Sequence, residues 1–278
     1  MKILKGKDVA HTIREQIKKD VEGLKNQGKH PKLAIVRLGS NPDDIYYENS
    51  IIKNCKDLGI VSEVFEKDLS ISTENLVDLL TELNNEESIS GILVFRPLPK
   101  HIDENIIRNS VSPGKDVDCM NSLNLGKIFE GDMTGFAPCT PKAAMEILKY
   151  YEIPMEGKNA VIINRSTVVG KPLAMMLLEE NATVTICHSR TRDLEKVAKE
   201  ADIVLTALGR AKMFGPEYFH KESIIIDIGM SPDSQGKMSG DIDYDKVYQD
   251  VAGITPVPGG VGSVTTSILL KQVVEACK

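Results

Sequence analysis

Short, nearly uninterrupted Ile/Val/Leu runs, each followed by a helical pattern, constrain this chain more than any other feature. Lys32-Leu33-Ala34-Ile35-Val36-Arg37-Leu38 reads as a strand. A Gly/Pro/Asp loop follows over 39–44, then a helical pattern from about Ile45 to Leu58, stopped by Gly59. Residues 61–65 form a second strand, 73–83 a helix, and 91–95 a third strand. Most of these runs do not alternate apolar with polar, so they need cover on both faces. Strands of that kind separated by helices mean βαβ units around a parallel sheet.

A second unit begins near Thr140, with Thr140 as N-cap and Pro141 at the first helical position of a helix over 142–151. Strands over 160–163, 183–187, 203–207 and 224–228 then alternate with helices near 172–179, 192–201 and 217–219. The expected fold class is α/β: two α/β lobes around a cleft, the second Rossmann-like with a parallel sheet. The 278 residues suit two domains at roughly 100–200 residues each. The first is expected over 1–138, completed by the amphipathic C-terminal stretch 265–278, and the second over 139–264. A cleft between such lobes is where a small-molecule site belongs.

Composition removes several function classes. The net charge of −6 and the 5% aromatic content without Trp argue against nucleic acid and anionic membranes. Five cysteines are an odd number without a CxxC pair, neither a disulfide framework nor a zinc site, which fits a reducing compartment. Charges break the apolar character of the first eight residues, so no signal peptide is read there. The longest uncharged stretch, 251–270, contains Pro256 and Pro258, which a membrane-spanning helix would not tolerate there. The expectation is a cytoplasmic protein without a metal. There is no GxSxG or HExxH, and none of His11, His30, His101, His188 and His220 pairs at metal-ligand spacing. His188 is expected to be a structural strand-end residue.

Two places carry ligand-binding chemistry. Asn159-Ala160-Val161-Ile162-Ile163 is a buried-type strand running into Asn164-Arg165-Ser166-Thr167-Val168-Val169-Gly170-Lys171-Pro172 and a helix. Such a turn aims backbone N–H groups and the positive helix end at an anion. Only Gly170 occupies a glycine role, so the turn alone fits a ligand-free connection equally well. About twenty residues on, where an NAD site carries an acid for the ribose, the chain reads Cys187-His188-Ser189-Arg190-Thr191-Arg192. Two arginines and two hydroxyls there, with Arg165, suit a dianionic phosphate and point to NADP. The competing reading has Arg190 and Arg192 merely opening a solvated helix. The second place is Ile254-Thr255-Pro256-Val257-Pro258-Gly259-Gly260-Val261-Gly262-Ser263, stiffened by proline and opened to close approach by glycine. It serves as well for an interdomain connection.

Together with Lys115-Asp116-Val117-Asp118, Pro138-Cys139-Thr140-Pro141, Ala182-Thr183-Val184-Thr185 and Gly240-Asp241-Ile242-Asp243, these strings resemble the bifunctional methylenetetrahydrofolate dehydrogenase/cyclohydrolase family, end to end. The resemblance implies NADP-dependent oxidation of methylenetetrahydrofolate, then hydrolysis of the methenyl product to formyltetrahydrofolate, in a homodimer. It makes the first domain the folate-binding, catalytic one and the second the NADP-binding one. On the cofactor side it counts Asn164, Arg165, Ser166, Ser189, Arg190, Met230 and Thr255. Asn164 stands where the family's turn begins with Gly, a change tolerated because Asn can adopt left-handed backbone angles. Asp118 matches the acid that holds the pterin, since a carboxylate can accept two parallel N–H bonds from its amino-pyrimidine edge; alone it also fits a turn cap. Pro258, Gly259, Gly260, Val261 and Gly262 match the loop that closes over the folate.

One departure bears on chemistry. The family's catalytic helix carries Tyr-x-x-x-Lys and, two residues on, a second basic residue. Here the helix reads Tyr47-Glu48-Asn49-Ser50-Ile51-Ile52-Lys53, with Tyr47 at the Tyr, Ile51 at the Lys and Lys53 at the second basic residue. Two positions rotate a side chain by roughly 200°, so Lys53 lies off the face that Tyr47 and Ile51 share; Tyr46 offers no substitute. The family's Val-Gln-Leu-Pro-Leu-Pro is here Val94-Phe95-Arg96-Pro97-Leu98-Pro99, so the Gln that bonds the Lys is Phe95. Val94, Phe95 and Arg96 belong with the substrate residues, although strand alternation first aims Arg96 elsewhere. The expectation is a dehydrogenase with weak or absent cyclohydrolase activity. The alternatives are a folate- and NADP-binding paralogue with little catalysis, a bifunctional enzyme with a substitute base, and an unrelated NADP dehydrogenase on the same scaffold.

Overall fold

The computed structural model describes residues 2–132 and 134–278. In chain order the elements are β1 (Lys2–Ile3), α1 (Gly6–Asn26), β2 (Lys32–Leu38), α2 (Pro42–Leu58), β3 (Val61–Lys67), α3 (Thr73–Asn85), β4 (Gly91–Val94), α4 (Glu104–Ser110), α5 (Ser122–Phe129) and α6 (Cys139–Tyr150). There follow β5 (Asn159–Ile163), α7 (Gly170–Glu179), β6 (Thr183–Cys187), α8 (Leu194–Lys199), β7 (Ile203–Thr206), β8 (Ile224–Asp227), β9 (Ser231–Pro232), β10 (Met238–Ser239), α9 (Tyr244–Val247), β11 (Gly253–Ile254) and α10 (Gly262–Ala276). The chain divides into two compact units, one of Thr12–Ala137 with Thr266–Lys278, the other of the residues up to His11 with Pro138–Thr265. Among the described residues, no helix is long and apolar enough to cross a membrane.

The first unit holds a parallel three-stranded sheet in the order β3-β2-β4. Central β2 buries six of its seven residues, whereas the edge strand β3 alternates between exposed and half-buried positions, the pattern of a strand covered on one side. Ala34 and Val36 of β2, Leu76 and Leu80 of α3, Ile92 of β4 and Ile107 of α4 share one core. Helix α2 starts earlier than its periodicity implies, because the Asn41 side chain accepts from the Asp43 N–H at 2.9 Å and Pro42 opens the first turn. It ends where expected, on Gly59 at φ 74°.

Lys115 supplies a stop for α3. Its Nζ donates to the carbonyls of Leu83, Asn84 and Glu86 at 3.2, 2.8 and 2.7 Å. These lie at the helix C-terminus, where carbonyls lack intrahelical partners and favour a cation. Lys115→Met is expected to lower the stability of this unit by about 1.5–3 kcal/mol, the range for hydrogen bonds to a charged donor. A urea titration followed by circular dichroism checks it; an unchanged midpoint would mean that water replaces the ammonium at no cost.

The second unit is a parallel six-stranded sheet in the order β1-β11-β8-β7-β5-β6, with a separate antiparallel β9–β10 pair. Val161, Ile163, Val204, Phe214, Ile225 and Ile254 contribute to its core. Residues 1–11 were expected with the other domain. Instead Lys2 and Ile3 pair with Gly253 and Ile254, and residues 2–11 group with this unit. Three local expectations also change. Helix α6 begins at Cys139 after Pro138, with no side-chain cap from Thr140, and Pro141 fits within the first turn, where its missing N–H has no partner to lose. Asp193 at φ 51° shortens α8, and 216–218 is a single 3-10 turn.

Candidate active site

In the first unit, the α2 face carrying Tyr47 and Ile51 meets the end of β4. Tyr47 is half-exposed, and its ring centroid lies 5.5 Å from that of Phe95 at 35°. Ile51, one turn along, is fully buried, and Phe95 is buried as well. Lys53 is exposed, as its rotation about the helix requires. Neither position 51 nor position 95, where the family resemblance implies a Lys–Gln pair, carries an ionisable or polar side chain. Glu48, beside Tyr47, is also buried, and Arg37 Nε donates to its carboxylate at 2.7 Å. The Arg37 guanidinium further reaches Glu66 at 3.0 Å and the Gly39 carbonyl. This pair ties α2 to β2 and so holds Tyr47 in place, a role that no motif signals.

The 115–118 string runs parallel to β4, with Ile92 bridging to Asp116 and the Ile92 N–H donating to Lys115 O at 2.7 Å. That pairing sorts its members. Asp116 is buried and accepts from the N–H groups of Met120 and Asn121 and from Asn124 Nδ2, each at 2.9 Å. Burial pushes its carboxyl up to about 6 despite those bonds. Asp118 instead remains partly open, and Arg96 Nη2 donates to its Oδ2 at 3.0 Å. Arg96 thus meets another of the residues that the resemblance assigns to the substrate. Strand β4 ends at Val94, two residues short, so its alternation no longer governs Arg96. Cys119 follows at φ 54°, a conformation that costs a non-glycine residue roughly 1–2 kcal/mol and turns the chain immediately after Asp118.

In the second unit, Asn164–Ser166 follow β5, Ser189 and Arg190 follow β6, Met230 follows β8, and Thr255 follows β11. Because these strands are parallel and in register, all four loops leave one edge of the sheet, the carboxyl end where open α/β sheets bind ligands. Arg165, Ser166, Ser189, Arg190, Arg192 and Met230 are exposed there; Thr255 is buried. Asn164 does not use a left-handed backbone, since it is absent from the positive-φ residues. Its side chain shapes the turn instead. Oδ1 accepts from Ser166 N and Oγ at 2.8 Å and from Gly170 N at 3.1 Å, while Nδ2 donates to Ala207 O at 2.6 Å. Any Cβ at Gly170 would collide with the Asn164 carbonyl, which explains the glycine. His188 Nδ1 accepts from the Arg190 N–H at 3.1 Å, the structural role expected for it. Exposed guanidinium and hydroxyl donors on adjacent loops, beside a helix start with no side chain at Gly170, form a donor set that fits dinucleotide phosphates.

The Pro258–Gly262 loop also belongs to this unit. The Gly6 N–H donates to Gly259 O at 2.8 Å, and Gly260 packs so tightly on Pro256 that a Cβ would clash. Two buried carboxylates brace the same sheet edge. Asp227 accepts from Asp241 N, Ile242 N and Thr206 Oγ1 at 3.1, 2.9 and 3.1 Å, and its own N–H donates to Thr255 Oγ1 at 2.8 Å. Asp241 accepts from Leu208 N at 2.6 Å and Arg210 N at 2.7 Å, and it fills the space a Gly229 Cβ would need, next to Met230.

Burial, helped by the neighbouring Asp241 charge, pushes the Asp227 carboxyl up to about 7. A carboxyl whose folded-state pKa lies above its unfolded value binds its proton more tightly when folded. Its stabilisation is complete below about pH 4 and is lost as pH rises toward 7. Asp227→Asn is therefore expected to flatten the decline of melting temperature over that window, measured by scanning calorimetry. A decline as steep as the parent's would exclude Asp227 as its source.

The comparisons with known proteins also divide the chain near residue 138. Residues 4–118 match the model of the tetrahydrofolate dehydrogenase/cyclohydrolase catalytic domain, and 138–278 match that family's NAD(P)-binding domain. The chain belongs to the tetrahydrofolate dehydrogenase/cyclohydrolase family. The bifunctional protein FolD of Clostridium botulinum (strain Hall) is 56% identical over 277 residues, covering 100% of this chain and 98% of that protein. A Campylobacter jejuni FolD crystal structure superposes with a TM-score of 0.98 at 39% identity, covering 100% of this chain and 98% of that one. Trypanosoma brucei FolD, solved with NADP and an inhibitor, gives 0.92 at 32% identity over 99% of this chain and 96% of that one. Within the family's frame, Tyr47, Ile51, Phe95, Arg96 and Asp118 all fall in the catalytic domain, and the loops at the sheet edge fall in the NAD(P)-binding domain.

Proposed function

We propose that this family member is an NADP-dependent 5,10-methylenetetrahydrofolate dehydrogenase whose cyclohydrolase step is weak or absent. The second half is supported by the fully buried Ile51, which the family resemblance aligns with the catalytic lysine, and by Phe95, which packs on Tyr47 where the resemblance implies the glutamine that bonds that lysine. The Asp118 carboxylate accepts the N–H groups of the pterin edge, and Tyr47 and Val94 to Arg96 flank the substrate. Bound at the carboxyl edge of the six-stranded sheet, NADP supplies the hydride acceptor. Arg165, Ser189 and Arg190 bind its phosphates, Asn164 and Ser166 shape the turn, and Met230 and Thr255 back the nicotinamide side. The absence of an acid over 187–192 supports NADP over NAD. In keeping with the family resemblance, the enzyme is a cytoplasmic homodimer.

The two half-reactions ask different things of the protein. Hydride transfer needs the bridge carbon held against the nicotinamide, and positioning supplies much of that barrier reduction. Hydrolysis of the methenyl cation needs a water activated by proton removal, to which a positioned base contributes on the order of 10²–10⁴-fold. Ile51 can position a ring but transfers no proton. The test is a paired assay at neutral pH with both cofactors: reduced-nicotinamide absorbance on adding methylenetetrahydrofolate, and decay of methenyltetrahydrofolate. Rapid reduction with NADP and near-background hydrolysis are expected. Hydrolysis matching the dehydrogenase turnover would refute the split, and no reduction with either cofactor would refute the dehydrogenase.

A further inference from the structure

The Arg96–Asp118 pair has no counterpart in the family's strand-end pattern, where leucine occupies the arginine position. Its geometry is informative. One guanidinium nitrogen, Nη2, engages one carboxylate oxygen, Oδ2, at 3.0 Å, and the two side chains keep 21% and 27% of their surface exposed. A guanidinium has five N–H donors and a carboxylate about four acceptor sites, so the contact leaves both groups with capacity for a ligand. The pair therefore presents acceptors and donors side by side on one partly open surface.

A pterin offers the matching pattern. Along its pyrimidine edge lie the exocyclic amino N–H, the ring amide N–H and the ring carbonyl oxygen, in the order donor, donor, acceptor. We propose that Arg96 is a second pterin-recognition residue, donating to the ring carbonyl oxygen while Asp118 accepts the two N–H groups. This rests on the reading of Asp118 as the pterin acid and adds a specificity element to it. The Asp118 contact orients the guanidinium plane, so Arg96 meets the ligand with its fork already directed. The consequence is discrimination. A 4-amino-4-deoxy pterin presents a donor where Arg96 needs an acceptor, and its ring nitrogen carries no hydrogen, so Asp118 keeps only the exocyclic amino contact.

The experiment is calorimetric titration of the full chain with tetrahydrofolate and with 4-amino-4-deoxytetrahydrofolate, for the parent, Arg96→Leu, Arg96→Lys and Asp118→Asn. The parent is expected to prefer the oxo ligand by at least about tenfold, one well-made hydrogen bond to a charged donor. Arg96→Leu is expected to shrink that preference by about tenfold, chiefly by weakening the oxo ligand, leaving the part owed to the ring N–H at Asp118, with NADP affinity unchanged. Arg96→Lys retains part of the preference, because an ammonium still donates but lacks the planar fork. Equal weakening of both ligands in Arg96→Leu would mean that Arg96 only orients Asp118, and would overturn the proposal; so would no change in either. Should Arg96→Leu lose NADP binding through misfolding, Arg96→Met carries the same comparison. Asp118→Asn separates the two levels: tetrahydrofolate binding that survives it undamaged overturns the reading of Asp118 itself. Loss there with no effect of Arg96→Leu overturns Arg96 alone.

Discussion

Ile51→Lys combined with Phe95→Gln is expected to raise methenyltetrahydrofolate hydrolysis on the order of 10²–10⁴-fold, the range a positioned proton-transfer group contributes. The pairing matters. Ile51 is fully buried, so a lysine placed there alone would be desolvated, and a buried amine without a partner is costly. A glutamine at 95, adjoining the same α2 face through its contact with Tyr47, supplies an acceptor and leaves the amine aimed at the substrate side. Ile51→Lys alone is expected to gain less and to lose stability. The readout is decay of methenyltetrahydrofolate absorbance at neutral pH, with NADP-dependent dehydrogenase activity as the check that the double variant folds. A double variant that oxidises methylenetetrahydrofolate but hydrolyses no faster than the parent would sink the assignment of position 51 as the missing base.

Arg37→Met carries the largest expected loss of stability, about 3–5 kcal/mol, because it leaves the Glu48 carboxylate buried without its cation. Glu48 keeps only 9% of its side-chain surface and takes the Arg37 Nε–H at 2.7 Å; Glu66, the other partner, is half-exposed and can return to water. The asymmetry gives a second arm. Arg37→Met with Glu48→Leu removes both buried charges and is expected to recover most of the loss, since the cost of the single change is the stranded charge rather than the absent attraction. Urea unfolding of the three proteins checks it. A double variant as unstable as the single would locate the cost in lost packing instead. Because Glu48 neighbours Tyr47 on α2, the single variant is also expected to raise the KM for methylenetetrahydrofolate.

Several features are legible in the order of residues alone. The central strands stand out because β2, β5 and β7 are apolar without alternation, as strands covered on both faces must be. The spacing of Tyr47, Ile51 and Lys53 suffices to put the first two on one helix face and the third off it. Helix α1 is harder to see, although Val9, Ile13, Ile17, Val21 and Leu24, all buried, repeat at helical spacing. The dense charges between them hide the stripe. Asn164 misleads for a different reason: its residue type suggests a backbone role, and the side chain takes the hydrogen bonds instead.

Amino-acid order by itself determined the alternation of strands and helices, the family, and the absence of an ionisable group at position 51. Each of these follows from local backbone periodicity or from the identity of particular side chains. Tertiary structure decided which carboxylate of the 115–118 string is buried and which stays open, that Arg96 turns onto Asp118, that Arg37 and Glu48 share a buried contact, and that residues 2 and 3 join the six-stranded sheet. A charged side chain's partner depends on which elements lie side by side, and burial sets what that partner is worth. Neither quantity exists until the chain has folded.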